Sequence, residues 1–254
     1  MSNKVSRYIQ RNLATYLNRR VVPLRGEQAC VSFTFDDFPK TSWTNGGAIL
    51  ERNGAAGTFF ISFGLLGGPS PSGVICTEQD IAELIERGHE LGCHTYSHCH
   101  SWQTSAEQFE REIIRNRVRL QELFCGAEFK TFSYPLSEPS PGAKRRAGIH
   151  FQACRSGGQA CNLRVADLSQ LSSYFLERAH GDLQEIAKLL DDCVRGNGWL
   201  IFSTHDIQDQ PSPYGCTPVF FESVVRLAIQ SGALVVSMAQ AMEQFGIASD
   251  RTGS

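Results

Sequence analysis

The stretch ACVSFTFDD, Ala29 to Asp37, decides how the rest of the chain reads. Its first residues alternate apolar and small side chains, as a strand does, and run without a turn residue into two adjacent carboxylates. Outward from it the same theme recurs. GTFFIS (Gly57–Ser62) follows a helix-like segment at 48–52, and HELGCH is a short strand ending in His94. Between them TEQDIAELIERG opens with a threonine cap and an acidic first turn, and Gly88 suits its stop. Thr104–Phe124 is a long amphipathic helix with Phe109, Ile113, Val118 and Leu120 among its apolar positions. FKTFSYP, IHFQACR, GWLIFSTHD and GALVVS are further strand candidates, the later ones separated by helices at Leu183–Arg195 and Pro218–Gln230. The segment Asn162–Arg178 fits no single pattern.

Repeated β–α alternation over 254 residues implies a mostly parallel sheet in one α/β domain. Such folds collect reactive groups at the carboxyl ends of strands. The unusual residues sit there: Asp36 and Asp37 after FTF, His94 after HELGC, Tyr134 and Pro135 after KTFS, His205 and Asp206 after LIFST. Asp-Asp alone is a common turn or cap, and an HxxxH pair alone is weak. Together, Asp37, His94 and His98 offer one carboxylate and two imidazoles for a metal ion, with Asp36 held beside it. Three protein ligands with open positions suit a catalytic metal rather than a structural one.

Composition narrows the classes. A net charge of −2 gives no reason to expect nucleic acid. Nine scattered cysteines, an odd number with no CxxC pair and no secretory leader, read as reduced thiols in a cytoplasmic protein. No apolar run is long enough to span a membrane. The first 26 residues form a basic amphipathic helix on this reading, ahead of a domain at 27–248. Val5, Tyr8, Ile9, Leu13, Tyr16 and Leu17 fall at helical spacing, and six basic and no acidic residues lie between Met1 and Arg25. Packing on the outside of the domain is the plain expectation for this helix. Peripheral contact with an anionic membrane, or with a lipid-linked substrate, is the sharper one.

FTFDD, HTYSH, FSYP and IFSTHD, in this order from about Val31 to Phe245, resemble the polysaccharide deacetylase family, which is carbohydrate esterase family 4 or the nodulation-deacetylase homology domain. The resemblance implies a distorted (β/α) barrel of about seven strands and a hydrolase acting on acetyl groups, mostly N-acetyl groups of chitin-like, peptidoglycan or exopolysaccharide sugars. By its motifs Asp36 corresponds to the catalytic base and His205 to the general acid, while Asp37, His94 and His98 hold a divalent metal. The ion expected is zinc in the first place, with cobalt, nickel or manganese also accommodated. Leu136 supplies a backbone N–H to the oxyanion, Tyr134 and Pro135 contact substrate, and Arg155 orients the base.

The third motif departs from the family's pattern. Serine stands at 133 where an arginine is often found, and Leu136 and Ser137 replace a Tyr-Gly pair. Trp43, Trp102 and Tyr214 could stack on sugar faces, while His89 and His100 read as structural. The expected activity is hydrolysis of the N-acetyl group of an N-acetylhexosamine unit in a polysaccharide or its precursor, in exopolysaccharide metabolism. The alternatives are a deformylase or O-acetyl esterase on a lipid-linked or small sugar, and an inactive carbohydrate-binding domain.

Overall fold

The structure is a computed structural model that describes residues 13–247. Its centre is a sheet of parallel strands: β1 (Cys30–Phe35), β2 (Thr58–Ile61), β3 (Glu90–Cys93), β4 (Thr131–Ser133), β5 (Ala153–Arg155), β6 (Tyr174–Phe175) and β7 (Trp199–Thr204). Their spatial order is β6-β7-β1-β2-β3-β4-β5, a seven-stranded half-barrel of the kind expected. An eighth strand, β8 (Leu234–Val235), pairs with Cys30 and Val31 at the start of β1, while β2 pairs with Thr34 and Phe35 at its end. β1 is therefore central and buried throughout, as is its neighbour β7. A parallel sheet covered by helices needs apolar side chains on both faces, which explains why neither strand alternates cleanly with water.

The helices α1 (Ala48–Arg52), α2 (Glu78–Glu86), α3 (Ala106–Leu123), α4 (Pro141–His150), α5 (Leu183–Arg195), α6 (Pro218–Gln230) and α7 (Met238–Gln244) punctuate the strands. Thr77 caps α2 in a reciprocal box with Asp80, and Gly88 beyond its end takes φ +78°. On α3 the buried face is Phe109, Glu112, Ile113, Asn116 and Leu120, and Val118 points outward. Asn116 accepts from the Phe63 N–H and donates to the Ile61 carbonyl, clamping the end of β2. Ile149 and His150, read from sequence as the start of a strand, complete α4 instead; Ser140 caps that helix and Pro141 starts it. No described helix is long and apolar enough to cross a membrane.

The first 26 residues are not one helix. Residues 1–12 of that segment lie outside the described residues. Leu13–Tyr16 are helical, Asn18 takes φ +51°, and Val21–Pro23 pairs antiparallel with Val165–Asp167. A left-handed asparagine ends helices readily, and the following strand gains backbone partners that a longer helix would forgo. The fully buried Lys144 ties this edge down, donating to the Ala14 carbonyl and pairing with Asp167 at 2.7 Å.

Candidate active site

The carboxyl ends of β1, β3, β5 and β7 open into one cleft of about 950 Å³. Asp36, Asp37, His94, His98, Leu136 and His205 line it. Asp37 and Phe38 leave β1 through a turn with both residues in the left-handed region, φ +61° and +55°. His98 and Leu136 are likewise left-handed at +53° and +59°. Such conformations cost non-glycine residues roughly 1–2 kcal/mol each, and their clustering at one cleft marks strain held for a purpose. It also settles how Leu136 and Ser137 make a turn without glycine: both adopt the left-handed conformation, at +59° and +54°.

Asp37 Oδ1 is buried with no hydrogen-bond partner. It lies 3.6 Å from His94 Nε2 and 3.4 Å from His98 Nε2. The three donor atoms fall within 4.8 Å of one another, the one such group among the described residues. An orphaned carboxylate oxygen facing two imidazole nitrogens is the donor set of a divalent cation, and these residues fit one. His94 is prepared for ligation. Its Nδ1 donates to the Ser133 carbonyl at 2.8 Å, which leaves Nε2 as the lone-pair nitrogen. Burial lowers its pKa to about 4, so the ring is neutral at physiological pH.

Asp36 sits beside this trio, nearly fully buried. Burial alone would push its carboxyl up, but the Arg155 guanidinium, with His94 and His205 adding to it, holds it well below the usual range. One Arg155 nitrogen, Nη2, donates to both Asp36 Oδ1 and Ser133 Oγ, and Nη1 donates to Ser173 Oγ at 3.1 Å. The serine at 133 thus has a clear spatial role: its small side chain admits an arginine arriving from the neighbouring strand β5. His205, at the end of β7, faces the cleft with Nδ1 3.3 Å from the Tyr214 carbonyl.

Some expected site residues are placed elsewhere. Tyr134 is fully buried, its hydroxyl donating to the Ser169 carbonyl at 3.0 Å, and its ring packs on Phe132. Pro135 is buried as well, and neither residue lines the cleft. Both are corrections to the sequence reading: a residue next to a strand-end turn can point into the core as easily as into the opening. Of the three aromatic residues considered for stacking, Tyr214 alone lines the cleft. His89 is buried and accepts from the Gly57 N–H at 3.0 Å, a packing role. Asp206 is fully buried and accepts from Ser212 and Gln208, holding the loop behind His205. Gly215 in that loop has no room for a side chain; a Cβ there would lie 2.3 Å from the Asp206 carbonyl oxygen. Gly215→Ala should therefore displace the loop, at a cost of about 1–3 kcal/mol. Chemical denaturation should show the lower midpoint.

Residues 24–148 match the family model described as "Polysaccharide deacetylase". That stretch contains Asp36, Asp37, His94, His98 and Leu136, whereas Arg155 and His205 lie beyond it. No curated protein sequence matches the chain. Among solved structures, the chitin deacetylase of the fungal pathogen Colletotrichum lindemuthianum shares 17% identity at TM-score 0.62, covering 86% of this chain and 89% of that one. A family 4 acetyl xylan esterase from Clostridium thermocellum, in complex with a cobalt ion, shares 20% at TM-score 0.60, covering 86% and 93%. The peptidoglycan deacetylase PdaC of Bacillus subtilis shares 15% at 0.54, covering 86% and 92%. At these identities the likeness is one of fold.

Proposed function

The chain belongs to the polysaccharide deacetylase family, and we propose that it is a metal-dependent hydrolase of the N-acetyl group on an N-acetylhexosamine unit, in a polysaccharide or its precursor. The observation that carries this reading is the unpartnered Asp37 oxygen facing the Nε2 atoms of His94 and His98, with a second carboxylate beside it. Asp37, His94 and His98 would hold the ion. When bound, a divalent ion supplies Lewis acidity to the acetyl carbonyl and makes water more acidic.

The remaining work belongs to the chain's own groups. Asp36 accepts the proton of the attacking water, and Arg155 keeps its carboxylate ionised and aimed. The Leu136 N–H stabilises the tetrahedral oxyanion. His205 protonates the departing amine, which leaves poorly as an anion. A deformylase or esterase would use the same groups. The pairing of a buried base with a histidine across the cleft favours catalysis over mere binding, because binding alone needs neither. The substrate and product of such a reaction belong to exopolysaccharide metabolism, and the free thiols throughout the described residues fit a cytoplasmic setting.

Acetate release from N-acetylglucosamine oligomers, with and without added zinc, cobalt, nickel or manganese, tests the reading directly. Release that disappears on chelation and returns with metal supports it; no release from any amino sugar overturns it. The role of His205 has its own signature. His205→Ala should lose about 10²–10⁴-fold on the amide. It should lose far less on p-nitrophenyl acetate, whose phenolate leaves unaided. Parallel losses in kcat/KM would show that His205 only shapes the site.

A further inference from the structure

The turn Leu176–Ala179, which follows β6, brings Glu177 and Arg178 to the same cleft as Asp36 and His205. Glu177 is anomalous as a piece of structure. Its Oε2 is buried without a hydrogen-bond partner, and it forms no ion pair among the described residues. Buried polar groups are nearly always satisfied, and an unpaired carboxyl is among the costlier exceptions. Arg178, its neighbour, makes no hydrogen bond or ion pair to it; its guanidinium lies over the Phe175 ring, 5.5 Å from the centroid. Phe175 is itself a lining residue, packed so closely on Gly157 that a Cβ there would come within 2.9 Å of the ring. This wall therefore presents an aromatic ring, a carboxyl oxygen without a donor and a glycine floor beside the reacting groups.

We propose that Glu177 is a substrate-positioning residue, pairing with hydroxyl groups of the hexosamine ring that carries the scissile acetamide. The inference rests on the reading of the chain as an amino-sugar deacetylase and specifies which wall holds the sugar. Hydroxyls fit better than a cation because Arg178 and Arg155 both bear on this carboxyl, and a cationic ligand would meet their repulsion. Burial, with the repulsion of Asp36 adding to it, pushes the Glu177 carboxyl up to about 7. Such a group can donate as well as accept, matching the dual character of a sugar hydroxyl.

Kinetics on two substrates and a binding measurement test it. Glu177→Ala should raise KM for N-acetylglucosamine oligomers more than it lowers kcat. The ratio of kcat/KM on the oligomer to that on p-nitrophenyl acetate should fall by about tenfold, the usual scale for one hydrogen bond to a buried polar group. Glu177→Gln should recover part of the loss, since an amide also donates and accepts. Thermal midpoints of both variants should equal or exceed that of the wild type, because an unpaired buried carboxyl has been removed. Equal losses on the two substrates, or a lowered midpoint with no rescue by glutamine, would overturn the inference and leave the deacetylase reading intact. If the wild type cleaves the ester but no amino sugar, that reading fails instead. Calorimetry with N-acetylglucosamine oligomers then decides the inference separately, and equal affinity in wild type and Glu177→Ala would overturn it.

Discussion

Asp36→Asn is expected to retain the metal and lose about 10²–10⁴-fold in kcat, the range that a positioned general base contributes. Asp37→Ala is expected to lose metal and activity together. The two carboxylates are adjacent in sequence and differ in what faces them. Asp37 Oδ1 meets two imidazole nitrogens and no donor. Asp36 Oδ1 meets the guanidinium of Arg155. An asparagine at 36 fills the same space and can still accept from Arg155, but it cannot take a proton from water. Metal analysis of the purified variants, alongside turnover with metal in excess, separates the roles. Near wild-type turnover in Asp36→Asn would move the base elsewhere, and full occupancy in Asp37→Ala would remove that residue from the ligand set.

Arg155→Met carries the largest expected change in stability. Arg155 is wholly buried, and its removal leaves Asp36 as an uncompensated carboxylate in the interior. Breaking a buried pair in this way typically costs about 3–5 kcal/mol. The sign of its pH dependence follows from the two states of Asp36. In the wild type the folded pKa is depressed. That contribution is present above the unfolded value of about 3.9 and is lost as pH falls below it. In the variant the guanidinium's share of that depression is lost, and burial is opposed by His94 and His205 alone, so the folded pKa rises relative to that of the wild type. The variant's native state then holds its proton to higher pH than the wild type's, and it gains less stability as pH rises through that window. The deficit of Arg155→Met relative to wild type should therefore widen from acid to neutral pH and then level off. Urea midpoints at several pH values measure it, and a gap that does not change with pH would mean that Arg155 acts by packing alone.

Periodicity and turn chemistry carried most of the architecture. The strands at Cys30–Phe35, Thr58–Ile61 and Trp199–Thr204 and the helices at 183–195 and 218–230 stand where local pattern places them. Strong periodic signals of this kind arise because each element must bury one face against the sheet. The stretch 162–178 resisted the same treatment for a physical reason. It contains two short strands, each held by pairing with a remote segment rather than by its own periodicity, and the start of a 3₁₀ turn. The segment before residue 26 failed for a related reason, since the strand at Val21–Pro23 exists only because Val165–Asp167 lies beside it.

The candidate site divides along the same line. The residue types and the order of Asp36, Asp37, His94, His98 and His205 were legible in the sequence, because strand ends bring such residues to one face of a parallel sheet. The resemblance implied that Asp37 joins the histidines and that Arg155 serves Asp36; the hydrogen bond between Arg155 and Asp36 spans 119 residues of chain, and only the packed sheet makes it. The burial of Tyr134 and the exposed position of Leu136 depended on a left-handed turn that no glycine announces. Glu177 gave no signal at all as a linear feature. A lone glutamate in an irregular stretch looks solvated, and only the packed cleft wall leaves one of its carboxyl oxygens buried without a partner. Covalent order determines which groups are available at the strand ends; tertiary packing alone decides which are paired and which are left open for a ligand, because pairing is a property of space and not of sequence.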